Sequence, residues 1–195
     1  MDKETVRAFF DACAPTWDAD MVRSERIIAR ILDGARVGAD RTVLDVACGT
    51  GVLFPDYLAR GVRHVTAIDL SPAMAAIAGE KAAGQPITVL CGDVERYAFG
   101  TQFDCVMVYN AFPHFPDPAR AIAALERLVA PGGTLTVAHG MSRERLVHHH
   151  SGAASAVSID LLELDALASL LSQDFSPVVK ISDDEMYQLT ALKKQ

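Results

Sequence analysis

The sequence predicts an α/β fold in which a doubly wound sheet carries helices on both faces. Short apolar runs, each sufficient for one buried strand, alternate along the chain with stretches of helical periodicity. The first run ends in Cys48-Gly49-Thr50-Gly51, a glycine-rich turn that leads into a helical stretch. Two runs near the C-terminus are joined by only three residues, which permits antiparallel pairing and excludes a parallel crossover. These observations predict one domain over residues 1–195.

The composition narrows the class of protein. Half of the residues are hydrophobic and 22% are charged, so a sizeable core can form and global disorder is excluded. The net charge of −7 disfavours nucleic acid and anionic lipid as partners. The polar start Met1-Asp2-Lys3-Glu4 is unlike a signal peptide, and no uncharged apolar run reaches the roughly 18 residues of a membrane span. Four dispersed cysteines indicate reduced thiols. We therefore expect a cytoplasmic protein, monomeric or homodimeric, without stable membrane association.

Seven strands are expected, the last of them antiparallel. The first five lie at residues 42–47, 64–69, 87–90, 103–109 and 134–138, and the terminal pair at 177–182 and 186–192. The sequence Pro131-Gly132-Gly133 predicts a turn before the fifth strand. Residues 40–140 should form the ligand-binding core, and residues 175–195 the antiparallel pair.

Helices are predicted at residues 53–60, 72–82 and 118–129, each after a strand. Residues 1–39 show helical spacing of apolar positions and should form a cap. Residues 141–174 should add two helices, at 142–150 and 160–173, that roof the crevice. The leucine stripe within 161–171 is expected to be core or a dimer face.

Distinctive groups lie at the predicted carboxyl ends of the strands, where doubly wound sheets bind ligands. Asp45 and the glycine turn belong to the first strand, Asp69 ends the second, Asp93 follows the third and Asn110 the fourth. The glycines allow a ligand to approach the backbone closely, and the acidic residue about 20 positions later suits a ribose. This pattern is also compatible with a nicotinamide dinucleotide.

Two residues favour a different nucleoside. Phe54 occupies the third glycine position of the dinucleotide motif and should impede close packing of the helix on the strand. Asp45 would repel a pyrophosphate beside the glycine turn but attract an ammonium or a sulfonium. The sequence therefore predicts a nucleoside that carries a cationic amino acid.

The run Val43-Leu44-Asp45-Val46-Ala47-Cys48-Gly49-Thr50-Gly51 resembles motif I of the class I S-adenosylmethionine-dependent methyltransferases. Residues 67–74, 92–94 and 128–135 resemble the family's later motifs in the expected order, nearest to the branch of ubiquinone and menaquinone methyltransferases. The resemblance implies a Rossmann-like fold and S-adenosyl-L-methionine as cofactor. The cofactor-binding residues that it implies are Asp45, Ala47, Cys48, Gly49, Thr50, Gly51, Asp69, Leu70, Met74, Gly92, Asp93, Val94 and Asn110.

The resemblance also implies individual roles. Gly49 and Gly51 would line the methionine moiety, and Asp69 would hold the ribose. Asp93 and Val94 would hold the adenine, while Asn110 would lie near the sulfonium. Residues 9–18 resemble a segment that folds over the cofactor in this branch, so Trp17 is interpreted either as part of a lid or as a hydrophobic anchor.

Methyl transfer to oxygen, nitrogen or carbon needs help with a proton, for which His114 is the first candidate base and His139 the second. A metal site at 148–150 is not expected, because adjacent helical histidines point in different directions. The interpretation is methyl transfer to a small-molecule acceptor. A quinone-type C-methyltransferase and a non-catalytic partner subunit stay open as alternatives.

Overall fold

A computed structural model describes residues 1–19, 21–149 and 153–195, and the side chains of all of these except 147–149 and 153–154. Within this part of the chain, seven strands form one sheet in the order β3-β2-β1-β4-β5-β7-β6. The strands are β1 Thr42–Val46, β2 His64–Asp69, β3 Ile87–Cys91, β4 Phe103–Tyr109, β5 Val129–His139, β6 Phe175–Ser182 and β7 Tyr187–Lys193. Strands β1 to β5 are parallel, and β7 runs antiparallel to both β5 and β6. The predicted fold class is confirmed.

Helices cover both faces of this sheet. They are α1 Lys3–Cys13, α2 Glu25–Gly34, α3 Phe54–Ala59, α4 Pro72–Ala82, α5 Pro118–Glu126, α6 Arg143–His149 and α7 Leu164–Ala168. Buried side chains of α2, α3 and α4 belong to one core cluster, and those of α5, α6 and α7 belong to the other. The continuous apolar runs of β1 and β4 supply residues to both clusters, as expected of strands buried on both faces.

Strand register brings the predicted site residues to one edge of the sheet. Asp45 of β1 lies opposite Ala67 of β2, two residues before Asp69. On the other side, Val46 pairs with Val108, so β4 ends one residue later, directly before Asn110. The polar groups after β1, β2 and β4 therefore converge at the carboxyl edge.

The fifth strand is longer than predicted. It begins at Val129 and includes Pro131-Gly132-Gly133, which had indicated a turn. The register with β4 jumps from the pair Phe103 and Val129 to the pair Cys105 and Thr134. These glycines therefore form a bulge, and Gly132 adopts φ 72°, a conformation that favours glycine.

The predicted helix over 160–173 is wrong in its extent, because α7 covers only Leu164–Ala168. The side chain of Arg143 donates to the carbonyl of Leu161 at 2.8 Å, and the Tyr187 hydroxyl donates to the carbonyl of Leu162 at 3.0 Å. These two carbonyl oxygens accept hydrogen bonds from side chains elsewhere in the fold, and no helix forms over residues 161–162. Leu161 is buried in the core together with Leu167 of α7, so the leucine stripe contributes to the core of this chain.

Candidate functional site

A cavity of about 510 Å³ opens at the carboxyl ends of β1 to β4, beneath α1. Its lining includes most of the residues that sequence analysis assigned to a cofactor. These are Asp45, Ala47, Cys48, Gly49, Asp69, Leu70, Met74, Gly92, Asp93, Val94, Asn110 and Trp17. The cavity thus lies where an open parallel sheet binds ligands, and it falls in the size range of small-molecule pockets.

Left-handed backbone conformations shape the rim of this cavity. Ala47 adopts φ 54° and Gly49 φ 56° directly after β1, and Asn110 adopts φ 54° directly after β4. Such conformations are unfavourable for non-glycine residues and are found preferentially at functional sites. The side-chain oxygen of Asn110 accepts a hydrogen bond from the Gly140 N–H at 2.9 Å, which ties the end of β4 to the end of β5.

Asp69 is fixed before any ligand arrives. One carboxylate oxygen accepts the Gly49 N–H at 2.8 Å, and the other accepts the Ser71 N–H at 2.8 Å. Burial raises the pKa of Asp69, while these two backbone donors favour its charged form. The carboxylate therefore links the glycine turn to the start of α4 and lies on the wall of the cavity.

Asp45 is the most unusual group in the cavity. Its side chain is buried, with 2% of the residue exposed, and its Oδ2 has no hydrogen-bond partner among the described residues. Burial raises the pKa of Asp45 to about 8, and the neighbouring Tyr57 hydroxyl offsets only part of this effect. A buried carboxyl that lines a cavity and has one oxygen without a donor suits a ligand that brings a cationic donor.

Two predicted cofactor residues do not line the cavity. The hydroxyl of Thr50 points away and donates to Asp18 at 2.5 Å. Gly51 lies under the ring of Phe54, where a Cβ would come within 2.5 Å of the ring, and its φ is 85°. The Phe54 ring therefore packs against this glycine. In the structure, Thr50 and Gly51 support the glycine turn and do not line the cavity.

The carboxylate of Asp93, expected at the adenine, already binds a cation from α1. The Lys3 ammonium lies 2.7 and 2.8 Å from its two oxygens and 2.7 Å from Glu95. The side chain of Glu95 is 2% exposed and also pairs with Arg120 of α5 at 2.8 Å. Sequence analysis missed Lys3 because 90 residues separate it from Asp93, and no local pattern marks an isolated lysine as a site residue.

The N-terminal segment closes the cavity through further contacts. Asp11 accepts hydrogen bonds from the Ser71 hydroxyl at 2.6 Å and the Ala73 N–H at 3.2 Å, and the first of these lowers its pKa. The ring nitrogen of Trp17 lies 3.9 Å from the position that a Cβ on Gly49 would occupy. Trp17 is 37% exposed and lines the mouth, so the geometry favours a lid over an anchor in the core.

Of the two candidate bases, the structure brings His114 to the cavity and leaves His139 away from it. His139 is fully buried, with its ring 6.1 Å from that of Tyr187, and it is not part of the lining. His114 lines the cavity from the turn after β4, and its Nδ1 lies 2.8 Å from the carbonyl oxygen of Val157. A carbonyl can only accept, so Nδ1 carries the proton and Nε2 carries the lone pair of the neutral ring.

The side chains of residues 148–150 lie outside the described part of the chain. Within that part, no group of three or more potential metal-binding side chains is found. A search of the same residues finds no helix with the length and apolar character needed to cross a membrane.

Comparison with known proteins agrees with this geometry. Residues 44–137 match the family model described as a methyltransferase domain. The ubiquinone biosynthesis O-methyltransferase of Alkalilimnicola ehrlichii is 36% identical over 125 residues, which cover 62% of this chain and 49% of that protein. The chain is thus similar to a methyltransferase domain over residues 44–137. Its predicted resemblance to the ubiquinone branch is confirmed, although it spans about half the length of the curated relatives that it matches.

Solved structures share the fold of this chain. The N-methyltransferase NodS of Bradyrhizobium japonicum, in complex with S-adenosyl-L-homocysteine, aligns with a TM-score of 0.75 at 15% identity, covering 97% of this chain and 99% of that chain. The [4+2]-cyclase SpnF aligns with a TM-score of 0.76 at 18% identity, covering 97% and 95%. The methyltransferase-domain match contains the last three residues of β1 and all of β2 to β4 with their site residues, whereas α1, α6 and α7 lie outside it.

Proposed function

We propose that this chain binds S-adenosyl-L-methionine and transfers its methyl group to a small-molecule acceptor. The observation that carries the proposal is Asp45, a buried carboxyl that lines the cavity beside the glycine turn and whose Oδ2 lacks a hydrogen-bond donor among the described residues. The ammonium of a methionine moiety would supply that donor. A pyrophosphate at the same place would be repelled once Asp45 is ionised.

The remaining residues fit the other parts of the cofactor. Asp69, held by two backbone N–H groups, keeps lone pairs for the hydroxyls of a ribose. Asp93 and Val94 lie where an adenine would be held, and Lys3 closes over them from α1. Asn110 and the glycine turn border the space between, which we assign to the methionine moiety and its sulfonium.

The cofactor supplies a methyl group that is already activated on a sulfonium. The chain's own residues then have to align the acceptor and keep water out. The lid formed by α1 and Trp17 covers the cavity. His114 lines the cavity with its Nδ1 2.8 Å from the Val157 carbonyl oxygen, and we assign it the role of base for an acceptor that must lose a proton.

The relative's printed name supports the quinone branch that the alternative named, with oxygen in place of carbon as the acceptor atom. The fold alone does not establish methyl transfer, because a [4+2]-cyclase shares it. Burying the Asp45 Oδ2 without a hydrogen-bond donor costs free energy of folding. A non-catalytic partner subunit would have no need of such a group. We also propose a cytoplasmic location, on the basis of four free cysteines, and a monomeric or homodimeric state.

Calorimetric titration with S-adenosyl-L-methionine, S-adenosyl-L-homocysteine and NAD tests the proposal. We expect saturable binding of both adenosyl ligands and none of NAD. The Asp69→Ala variant should weaken the binding of both at least about tenfold, because two or more hydrogen bonds to a carboxylate are lost. Binding of NAD alone, or the absence of binding by either adenosyl ligand, would overturn the assignment.

A further inference from the structure

We propose that Tyr57 is a positioning residue for the cofactor: its hydroxyl donates to Asp45 once that carboxyl is ionised and so fixes the group that receives the ammonium. This inference rests on the proposed binding of S-adenosyl-L-methionine, and it assigns a role to a residue outside the lining of the cavity. Three observations support it: the face of the sheet on which Asp45 lies, two buried atoms without a partner, and the engagement of the other groups around Asp45.

The alternation of side chains along β1 directs Asp45 toward α3. Leu44 and Val46 belong to the core cluster of α5, α6 and α7, whereas Val43 belongs to the cluster of α2, α3 and α4. Successive side chains of a strand point to opposite faces, so Asp45 lies on the same face as Val43. Tyr57 is buried on α3 and belongs to that cluster as well. The turn after β1 therefore folds α3 back over the strand and brings the Tyr57 hydroxyl beside Asp45.

Two polar atoms are buried without a partner where α3 meets β1. They are the Tyr57 hydroxyl and the Asp45 Oδ2, and neither forms a hydrogen bond with any described residue. A buried polar group without a partner costs free energy of folding. A small movement of either side chain would join the two atoms. Ionisation of Asp45 favours this movement, because a hydrogen bond to a carboxylate is stronger than one to a neutral carboxyl.

The other titratable neighbours of Asp45 in the described part of the chain are engaged elsewhere. Asp69, from β2, accepts two backbone N–H groups at 2.8 Å and has no donor to offer as a carboxylate. The thiol of Cys48, in the turn after β1, donates to the carbonyl of the next residue at 3.5 Å. Of these three neighbours, Tyr57 is therefore the one whose proton is available to Asp45.

Tyr57 keeps its proton while Asp45 titrates. Burial and the charge of Asp45 raise the pKa of the Tyr57 hydroxyl well above its ordinary value, and Cys105 of β4 and Asp56 of α3 act in the same direction. A carboxylate has about four lone-pair sites, so Asp45 can accept this hydroxyl and the ammonium of a ligand together. The hydroxyl favours the charged form of Asp45, and its removal should therefore raise the pKa of that carboxyl.

The affinity for S-adenosyl-L-homocysteine, measured by calorimetry across pH in wild type and Tyr57→Phe, tests this assignment. The loss of a hydrogen bond to a charged group should raise the pKa of Asp45 by about one unit, from about 8 to about 9. Tyr57→Phe should then bind about tenfold more weakly at pH 6, about fivefold at pH 8 and less than about twofold at pH 9. At pH 8 the variant should release about 0.4 protons more per ligand than wild type. Ionisation of the ligand itself cancels in this comparison.

Two controls separate positioning from a general effect on packing. Tyr187→Phe removes the hydroxyl of another buried tyrosine, which donates to the Leu162 carbonyl outside the lining of the cavity. It should leave the affinity within about twofold of wild type at each pH. In the Asp45→Asn background, Tyr57→Phe should change the affinity by less than about twofold, because no carboxylate remains to be stabilised. Tyr57→Phe keeps the ring in the core and removes a group without a partner, so we expect it to fold.

The outcomes separate this inference from the function on which it rests. An equal loss of affinity at pH 6 and pH 9 in Tyr57→Phe, or no change at either pH, refutes the role of Tyr57 and leaves the proposed cofactor standing. A loss that persists in the Asp45→Asn background also refutes it. If S-adenosyl-L-homocysteine fails to bind the wild-type protein, the cofactor assignment and this inference both fall.

Discussion

Binding of the cofactor should be linked to the release of a proton from Asp45. The pKa of this buried carboxyl is about 8, so about 1% of the molecules carry the charged form at pH 6 and half carry it at pH 8. The charged form is the one that attracts an ammonium. If binding requires it, the affinity for S-adenosyl-L-homocysteine should rise about fiftyfold between pH 6 and pH 8.

Calorimetry in buffers with different ionisation enthalpies measures this linkage directly. At pH 7 we expect about nine-tenths of a proton to be released for each ligand bound, since one molecule in eleven is already ionised. In Asp45→Asn the affinity should be lower at pH 8, and its dependence on pH should fall to less than about threefold. A wild-type affinity that changes less than about twofold from pH 6 to pH 8, with no buffer dependence, would refute the reasoning.

The groups around Asp45 bear on this result. Tyr57 is its polar neighbour, Asp69 faces it from β2, and the buried thiol of Cys48 has a pKa raised well above its ordinary value.

The stability of the ligand-free protein gives a check on the direction of the pKa shift of Asp45. A native pKa above the unfolded value means that the native state binds more protons between about pH 4 and pH 8. The free energy of unfolding should therefore fall as pH rises through this window, and Asp45→Asn should reduce that fall.

Two further predictions concern the lid and the glycine turn. Lys3→Met should speed the dissociation of S-adenosyl-L-homocysteine about three- to tenfold, because the lid loses its ion pair with Asp93. Stopped-flow fluorescence of Trp17, the single tryptophan, measures it, and Lys180→Met, an exposed lysine of β6, should match wild type. Gly51→Ala should lower the free energy of unfolding by about 2–4 kcal/mol, because a Cβ at φ 85° would strain the backbone and strike the Phe54 ring. Urea denaturation tests this, and a loss below about 0.5 kcal/mol would contradict it.

The sheet, and the part of the site at the carboxyl ends of its strands, could be predicted because the sequence signals for both are local. Each parallel strand is a short apolar run, and the acidic residue at or just after its end needs no distant partner to be recognised. Asp45 and Asp69 therefore came to one edge, as expected. Thr50 does not line the cavity, because motif membership does not say which way a side chain points, and its hydroxyl donates to Asp18.

The roof was predicted less well because tertiary hydrogen bonds overrode helical periodicity. The leucines within 161–171 have helical spacing, yet the carbonyls of Leu161 and Leu162 are engaged by Arg143 and Tyr187. Helical propensity differs by less than about 1 kcal/mol for ordinary residues, which is comparable to one or two hydrogen bonds. A pattern of apolar residues thus places these side chains in the core correctly without fixing the backbone that carries them.

The lid shows a different limit of sequence patterns. Lys3, Val6, Arg7 and Phe10 lie three, four and seven residues apart, so they share one face of α1, and all of them line the cavity. A helix that packs on a core presents an apolar face, but this helix closes over a cavity lined by carboxylates at one end and by aromatic rings at the other. Its inner face is therefore mixed, with a cation beside Asp93 and a ring beside His114. Periodicity alone therefore predicts a helix with a poorly defined apolar face. The functional residues of that face are recognised only when their partners in the fold are known.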